Sequence, residues 1–418
     1  MRRPFTVLLA STVGLAALAV PPAVAHPTKT PGARADPSCA TLWKIYPAGI
    51  ARDAKSRAAA VADGFQAPRV SAPVYRANRV RLDRDGDGVI CPRKASTTPS
   101  RTTPTDPIAP PNPAYESTAA AVRAAGATCM VVREDGEVVG EWYWDGRTPA
   151  TQTTGFSTMK AVTGTLIGIA QSQGRLTLDQ RASDFITEWR GTPSEGVTIR
   201  QLLSMTSGRT TSFADAQNMV LSADATGYSI RVGQSAPPGT AFQFSDSAVQ
   251  TLARVLTVAT GQSVIAFAQQ SLLGPVGMSG TTLVQDGSNA ANMAFNYTTS
   301  CRDLARLSQL YMQGGTWDGR QVIAADYVNQ ARSPSSDLNR AYGFLFNLNT
   351  PGTASYYPGA PSDAFSFIGD CGQVSAAYPT SGVIVSVMTT ASLLDAFSCD
   401  PTGSRVSTIS QAAAAAGR

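Results

Sequence analysis

Apolar positions recur along this chain in two spacings, and the changes from one to the other mark its elements. Cys129-Met-Val-Val and Glu137-Val-Val-Gly-Glu-Trp-Tyr-Trp144 flank Asp135-Gly136. Two β-rich runs around such a dipeptide predict a hairpin with a tight turn. From Ser157 the spacing becomes helical: Val162, Leu166 and Ile169 share one face, and Gly174 is a stop. The same signals predict a capped helix over Thr198–Gly208, a third from Asp246 to Thr260 closed by Gly261, and a fourth from Ser300 to Gln313 closed by Gly314-Gly315. Strand spacing returns at Val374–Tyr378 and Gly382–Thr389, and an Ala-rich helix ends the chain. A hairpin, an all-helical middle and a return to strands predict an α+β fold, with one antiparallel sheet built from both chain ends and helices against it. Trp142 and Trp144, two apart on a strand, share a face and read as packing residues rather than a sugar platform.

Two stretches stand outside this pattern. Arg2 and Arg3, the apolar run Val7–Val20 and the small residues Ala23-Val24-Ala25 read as a secretory signal over residues 1–25. No later run is long enough to span a bilayer, so the mature chain is expected to be secreted, soluble and without a stable membrane anchor. Residues 95–113 are almost wholly Ser, Thr, Pro, Arg and Asp. Such a stretch buries no core and predicts a semi-rigid linker between a small module at 37–94 and a large one at 114–418. The formal charge of +5 is modest and does not call for a nucleic-acid partner; weak attraction to an anionic cell wall is compatible with it.

Six cysteines, Cys39, Cys91, Cys129, Cys301, Cys371 and Cys399, suit disulfides in an oxidising compartment, and the absence of C-x-x-C pairs argues against zinc. In adjacent antiparallel strands the end of the second returns to the start of the first. Cys371 and Cys399 flank such a pair and are predicted to bond to each other.

The small module ends in Leu82-Asp-Arg-Asp-Gly-Asp-Gly-Val-Ile-Cys91. Alternating carboxylates with Gly88 at the sixth position match the first half of an EF-hand loop. Asp83, Asp85 and Asp87 would supply oxygens, with the Val89 carbonyl after the turn. Position 12 is Lys94, so the bidentate glutamate is missing, and the run reads equally as a solvated Asp-Gly turn. Together with Cys39, Tyr46-Pro-Ala-Gly-Ile-Ala51 and Tyr75-Arg-Ala-Asn78, it resembles the extracellular Excalibur calcium-binding domain over residues 37–93. That resemblance implies a Cys39–Cys91 disulfide, a useful staple for so small a domain. The family has Glu where this chain has Pro92, so weak calcium binding is expected.

The chain has one histidine, His26, directly after the signal in the targeting region, which excludes a Ser-His-Asp triad. Ser157-Thr-Met-Lys160 offers another arrangement. Residues i and i+3 share a helix face, so the Lys160 amine can reach the Ser157 hydroxyl and act as its base. The plainer reading is a Ser-capped helix start with a surface lysine. Cys371 has no neighbouring base in the sequence and reads as a disulfide partner rather than a nucleophile.

Several motifs follow in order: Ser157-x-x-Lys160, Leu176-x-Leu-Asp179, Val197-Thr-Ile-Arg-Gln-Leu-Leu-Ser-Met-Thr-Ser-Gly208, Pro238-Gly-Thr-x-Phe242 and Arg302-Asp-Leu-Ala-Arg-Leu307. This order resembles the serine β-lactamase fold, in its class C-like branch of D,D-peptidases, esterases and 6-aminohexanoate-dimer hydrolases. Gly315-x-Trp317-x-Gly-Arg-Gln-Val322 and Gly372-Gln373 look most like the last group. The resemblance implies an acyl-enzyme on Ser157, Lys160 as base, and an oxyanion held by the N–H groups of Ser157 and Gln373. It also implies no catalytic cofactor and a small amide or ester substrate, peptidoglycan peptides included.

Two motifs depart from the family. Phe244 stands where a proton-relaying tyrosine is usual, and losing such a group costs about 10²–10⁴-fold. Ser245 or Lys160 alone would then have to carry the proton. Asp370-Cys371-Gly372 stands where a cation is usual, which argues against efficient penicillin hydrolysis. Tyr297 and Tyr311 are further phenols that sequence cannot place. Two functions are therefore carried forward: a secreted serine hydrolase for amides or esters, and a catalytically degenerate hydrolase fold serving as a wall- or ligand-binding module.

Overall fold

The computed structural model describes residues 108–351, 359–391, 399–400 and 402–417, and, before them, 50–53, 55, 56, 69, 70, 72, 75, 76, 79, 82, 83 and 87–91. The signal sequence, Cys39, Asp85 and most of the linker lie outside the described residues. Contacts along the chain divide it into two units, residues 1–102 and 103–418.

In the small unit, Ile50–Ala51 pairs in parallel with Arg69–Val70 and antiparallel with Val89–Ile90. Ile50, Tyr75, Ile90 and Cys91 form its buried cluster. Cys91 is disulfide-bonded. Asp83 accepts a hydrogen bond from the Tyr75 hydroxyl. Asp87 Oδ1 accepts the Val89 N–H at 2.7 Å, closing an Asx turn across Gly88, whose φ is 86°.

The large unit opens with helix α1 (Glu116–Ala124), then strands β1 (Ala127–Glu134) and β2 (Glu137–Tyr143). Helices α2 (Met159–Ser172), α3 (Asp246–Gln250) and α4 (Cys301–Met312) follow. Strands β3 (Asn347–Leu348), β4 (Phe365–Gly369), β5 (Gln373–Tyr378) and β6 (Val383–Thr389) complete the sheet, and α5 (Ser404–Ala416) comes last. The strand order is β3-β4-β5-β6-β1-β2, antiparallel throughout. The two chain ends therefore meet at β6–β1, where Val385 faces Val132, as the α+β reading requires.

Side-chain alternation puts a core on each face of this sheet. Met130 and Val132 pack with Ala119 and Val122 of α1 and Ile409 and Ala413 of α5. Cys129 and Val131 join the larger core of α2, α4 and the helical middle. Two links fix α4 to the sheet. Cys129 and Cys301 form a disulfide, and Arg302 donates to both oxygens of buried Glu141 on β2 at 2.6 and 2.5 Å. Cys371 and Cys399 form the other disulfide, the pair expected from strand geometry.

Several elements differ from the sequence reading. Helix α2 buries every residue from Met159 to Ala170, not one face, because it runs through the core. The Thr198-capped helix covers only Ile199–Leu203 before Met205 takes a φ of 58°. The Asp246–Thr260 helix breaks at Thr251, whose hydroxyl bonds the Ala248 carbonyl at 2.6 Å and competes with the helical ladder. The helical middle also holds a small antiparallel ribbon of Thr153–Thr154, Tyr297–Thr299 and Thr282–Leu283. Residues at the end of the expected linker touch the large unit: Ala109 N–H donates to Glu141 Oε2 at 3.2 Å. Trp142 is buried and donates to Glu116 of α1 at 3.3 Å, a packing role.

Candidate active site

Ser157 sits at a sharp junction between a strand and the central helix. Thr153–Thr154 leads into Gly155, Phe156 takes a φ of 48°, and Phe156–Thr158 form one 3-10 turn before α2. A bulky residue rarely adopts this left-handed conformation, and full burial of Phe156 holds it there. Tyr297 supports the turn from below. Its hydroxyl lies 2.5 Å from Thr158 Oγ1, and a Cβ on Gly155 would stand 2.2 Å from its ring. Burial raises the Tyr297 phenol above its ordinary range, so it stays protonated as a hydrogen-bonding support. Ser157, partly exposed, is thereby presented at the N-terminal end of α2, where the helix field favours developing negative charge.

Lys160 lies one turn on, at 1 % exposure. Its Nζ donates to Ser157 Oγ at 2.9 Å and to the Ala294 carbonyl at 2.9 Å. Asp246 Oδ1 stands 2.6 Å from the same Nζ, an ion pair without the alignment of a directed hydrogen bond. The Phe244 ring centroid lies 4.8 Å from Nζ, so an aromatic face adds a cation–π contact. Phe244 remains 47 % exposed and stands edge-on to Tyr342. The structure thus brings Ser157, Lys160, Asp246 and Phe244 together.

Ser245 goes elsewhere. Its hydroxyl accepts the Ala248 N–H at 3.2 Å, capping α3, and meets Ser247 Oγ at 3.1 Å. It makes no hydrogen bond to Ser157 or Lys160 among the described residues. Capping by Ser245 places Asp246 in the first turn of α3, where a carboxylate is favoured and from which it reaches Lys160. Asp246 was the residue missed in the sequence. Its signal was present: it ends the Phe244-Ser245-Asp246 motif.

Gln373 is also occupied. Its N–H donates to the Asp370 carbonyl, and its side chain bridges to Thr389 of β6. The strand end that meets the nucleophile is Gly369, four residues earlier. A Cβ there would lie 2.5 Å from the Gly155 carbonyl and 3.2 Å from the backbone nitrogens of Ser157 and Thr158, so only glycine permits the approach. Asp370 follows, exposed at the surface, and Cys371 turns the chain with a φ of 64°. Although part of Asp370 reaches solvent, the protein packed around its carboxyl raises it above its ordinary value; Lys160 opposes this, while Asp246 and Asp400 add to it. Tyr311 is buried away from this cluster, bonded to Thr165 Oγ1 at 3.1 Å.

The beta-lactamase family model matches residues 114–401. The chain belongs to the beta-lactamase family. Among solved structures it is similar to a penicillin-binding protein homologue from Caulobacter crescentus, at 21% identity over 73% of this chain and 98% of that one, with a TM-score of 0.57. It is also similar to an octameric penicillin-binding protein homologue from Pyrococcus abyssi, at 16% identity over 67% and 73% of the two chains, with a TM-score of 0.54. A third is EstCE1, a hydrolase with promiscuous acyltransferase activity, at 16% identity over 72% and 99%, with a TM-score of 0.57. At these identities the likeness shows the fold alone. No curated protein matches the chain. A family whose members are generally serine hydrolases, and a serine–lysine contact at the head of a core helix, frame the function of this one.

Proposed function

We propose that the chain is a secreted serine hydrolase that cleaves a small amide or ester through an acyl-enzyme on Ser157, in the branch that holds esterases and 6-aminohexanoate-dimer hydrolases. The observation that carries the reading is the 2.9 Å contact between Ser157 Oγ and the buried Lys160 Nζ. In the acylation step Lys160, as the amine, takes the Oγ proton while Oγ bonds to the substrate carbonyl. Asp246, 2.6 Å from Nζ, holds the Lys160 side chain in place beside Ser157 as its ion-pair partner. The tetrahedral oxyanion faces the Ser157 N–H, at the turn on which Gly369 of β4 closes. Collapse breaks the bond to the amine or alcohol, which leaves with the proton from Lys160. Water then attacks the acyl carbon by the same route and frees the acid and Ser157.

One observation favours the second reading, a binding module on a degenerate site: Phe244 faces Lys160 with no hydroxyl to relay a proton. A fluorescent fluorophosphonate separates the two. The intact chain should be labelled and Ser157→Ala should not. Equal, background labelling of both would leave the binding module as the better account.

The small unit is proposed as a weak calcium-binding module of Excalibur type. Asp83 and Asp87, four apart in the sequence, with Gly88 in the left-handed region at the sixth position, suit the first half of such a loop, and Asp85 and the Val89 carbonyl would complete it. Titration calorimetry of the full chain with calcium should give weak binding that Asp83→Ala abolishes. No heat at millimolar calcium from the folded chain would refute it.

A further inference from the structure

The chain as a whole carries a formal charge of +5, but among the described residues the carboxylates around the nucleophile outnumber the cations. Lys160 is the cation at the nucleophile, and Asp246 stands against it at 2.6 Å. Asp400, the third carboxylate in range, accepts the N–H groups of Arg405 and Val406 at 3.1 and 2.9 Å, so the first turn of α5 balances it. Arg405, the basic residue on this turn, lays its stem against Gly372 and its guanidinium against Gly126. That leaves Asp370. Its backbone follows directly on Gly369, the residue pressed against the Ser157 and Thr158 nitrogens, so its Cα is about 3.8 Å from that of Gly369. Its side chain is exposed. The Cys371–Cys399 disulfide, buried with Phe156 and Ala391, anchors the turn that carries it.

Gly369, the last residue of β4, presses on the turn that carries Ser157, and Asp370 is the first residue beyond that strand end. We infer that Asp370 selects the charge of the substrate: the amide or ester cleaved here carries an ammonium group near the scissile carbonyl, and carboxylate-bearing analogues are rejected. This rests on the hydrolase reading of Ser157. A unit charge about 7 Å away, in a site between water and protein in polarisability, changes interaction by roughly 3- to 50-fold. About tenfold is expected for each sign.

The test uses the full chain and three matched p-nitrophenyl esters whose acyl ends carry a trimethylammonium, a tert-butyl or a carboxylate group. The kcat/KM values should fall in that order. Asp370→Asn should shrink the cation-to-anion ratio by about tenfold or more, and Asp370→Lys should invert it. Asp370→Glu, which keeps the charge while altering the shape, should retain the ratio. Intact-mass detection of the acyl-Ser157 adduct is run alongside. An adduct with no cation preference, or a ratio that Asp370→Asn leaves unchanged, overturns the charge selection and leaves the hydrolase reading standing. No adduct and no turnover above the Ser157→Ala background with any of the three esters overturns both.

Discussion

The Lys160–Asp246 pair makes a quantitative prediction about the resting state. Asp246→Asn removes the negative charge and keeps the shape. Lys160 then retains two neutral acceptors, Ser157 Oγ and the Ala294 carbonyl, at 1 % exposure. At 2.6 Å and an effective dielectric of ~20 the lost attraction is about 6 kcal/mol before solvation is counted. Breaking a buried pair costs about 3–5 kcal/mol in practice. The Asp246 side chain is 23 % exposed, so water offsets part of this and about 2–3 kcal/mol is expected. Urea unfolding followed by tryptophan fluorescence measures it, because four of the five tryptophans, Trp142, Trp144, Trp189 and Trp317, lie in the large unit. Lys160→Met and the double variant complete a cycle whose coupling energy should be about 2 kcal/mol. If Asp246→Asn falls within about 0.5 kcal/mol of wild type and the coupling is near zero, the reasoning fails. The Lys160–Asp246 contact would then contribute nothing to folding.

Much of this architecture is written in local patterns. The Asp135-Gly136 turn carries φ values of 48° and 95°, which only such residues adopt readily, and the hairpin follows. Ser300 and Ser245 cap the helices that they precede, and Gly261 ends its helix in the left-handed region. What was not legible has physical reasons. Helix α2 reads as amphipathic because Lys160, Thr163 and Thr165 interrupt its apolar run. Each of those polar groups is buried and bonded, to Ser157 and Ala294, to Met293 and to Ala161. Strand β4 is five residues long and lies between polar turns, too short for a period to stand out, yet it supplies Gly369. Gly372-Gln373 resembles the family's spelling of the oxyanion edge. Only tertiary structure reveals that the Gln373 N–H already closes the turn from Asp370 and that Gly369 makes the approach. Asp246 is masked in the sequence by Ser245 beside it, whose hydroxyl has the look of a relay but is taken up in capping α3.

The remaining expectations are separable. Phe244→Tyr places a phenol beside Lys160 Nζ and should raise turnover of an activated ester severalfold; a fall below wild type would count against a proton-relay deficit there. Ser245→Ala removes the α3 cap and should cost about 1 kcal/mol in urea unfolding, while Ser157 is still labelled by the fluorophosphonate; loss of labelling in a folded variant would restore Ser245 as the relay. Replacing Cys129 and Cys301 together by serine opens a 172-residue separation, for which chain entropy gives an upper figure of about 5 kcal/mol. A loss below about 1 kcal/mol would mean that the Arg302–Glu141 contact alone holds α4 to the sheet. The last concerns pH. Desolvation and the neighbouring Asp246 and Asp400 raise the Asp370 carboxyl above 3.8, against the pull of Lys160. The folded chain therefore binds this proton at a pH where the unfolded chain does not. The group opposes folding above that window, and the opposition fades as pH falls through it. The same protonation removes the negative charge facing the substrate. The preference for the trimethylammonium ester over the carboxylate ester should accordingly begin to collapse while an ordinary aspartate would still be ionised. Asp370→Asn should show a small ratio that does not change across this range. A wild-type ratio that stays constant until pH 3.8, or a pH dependence that survives in Asp370→Asn, would place the titrating group elsewhere.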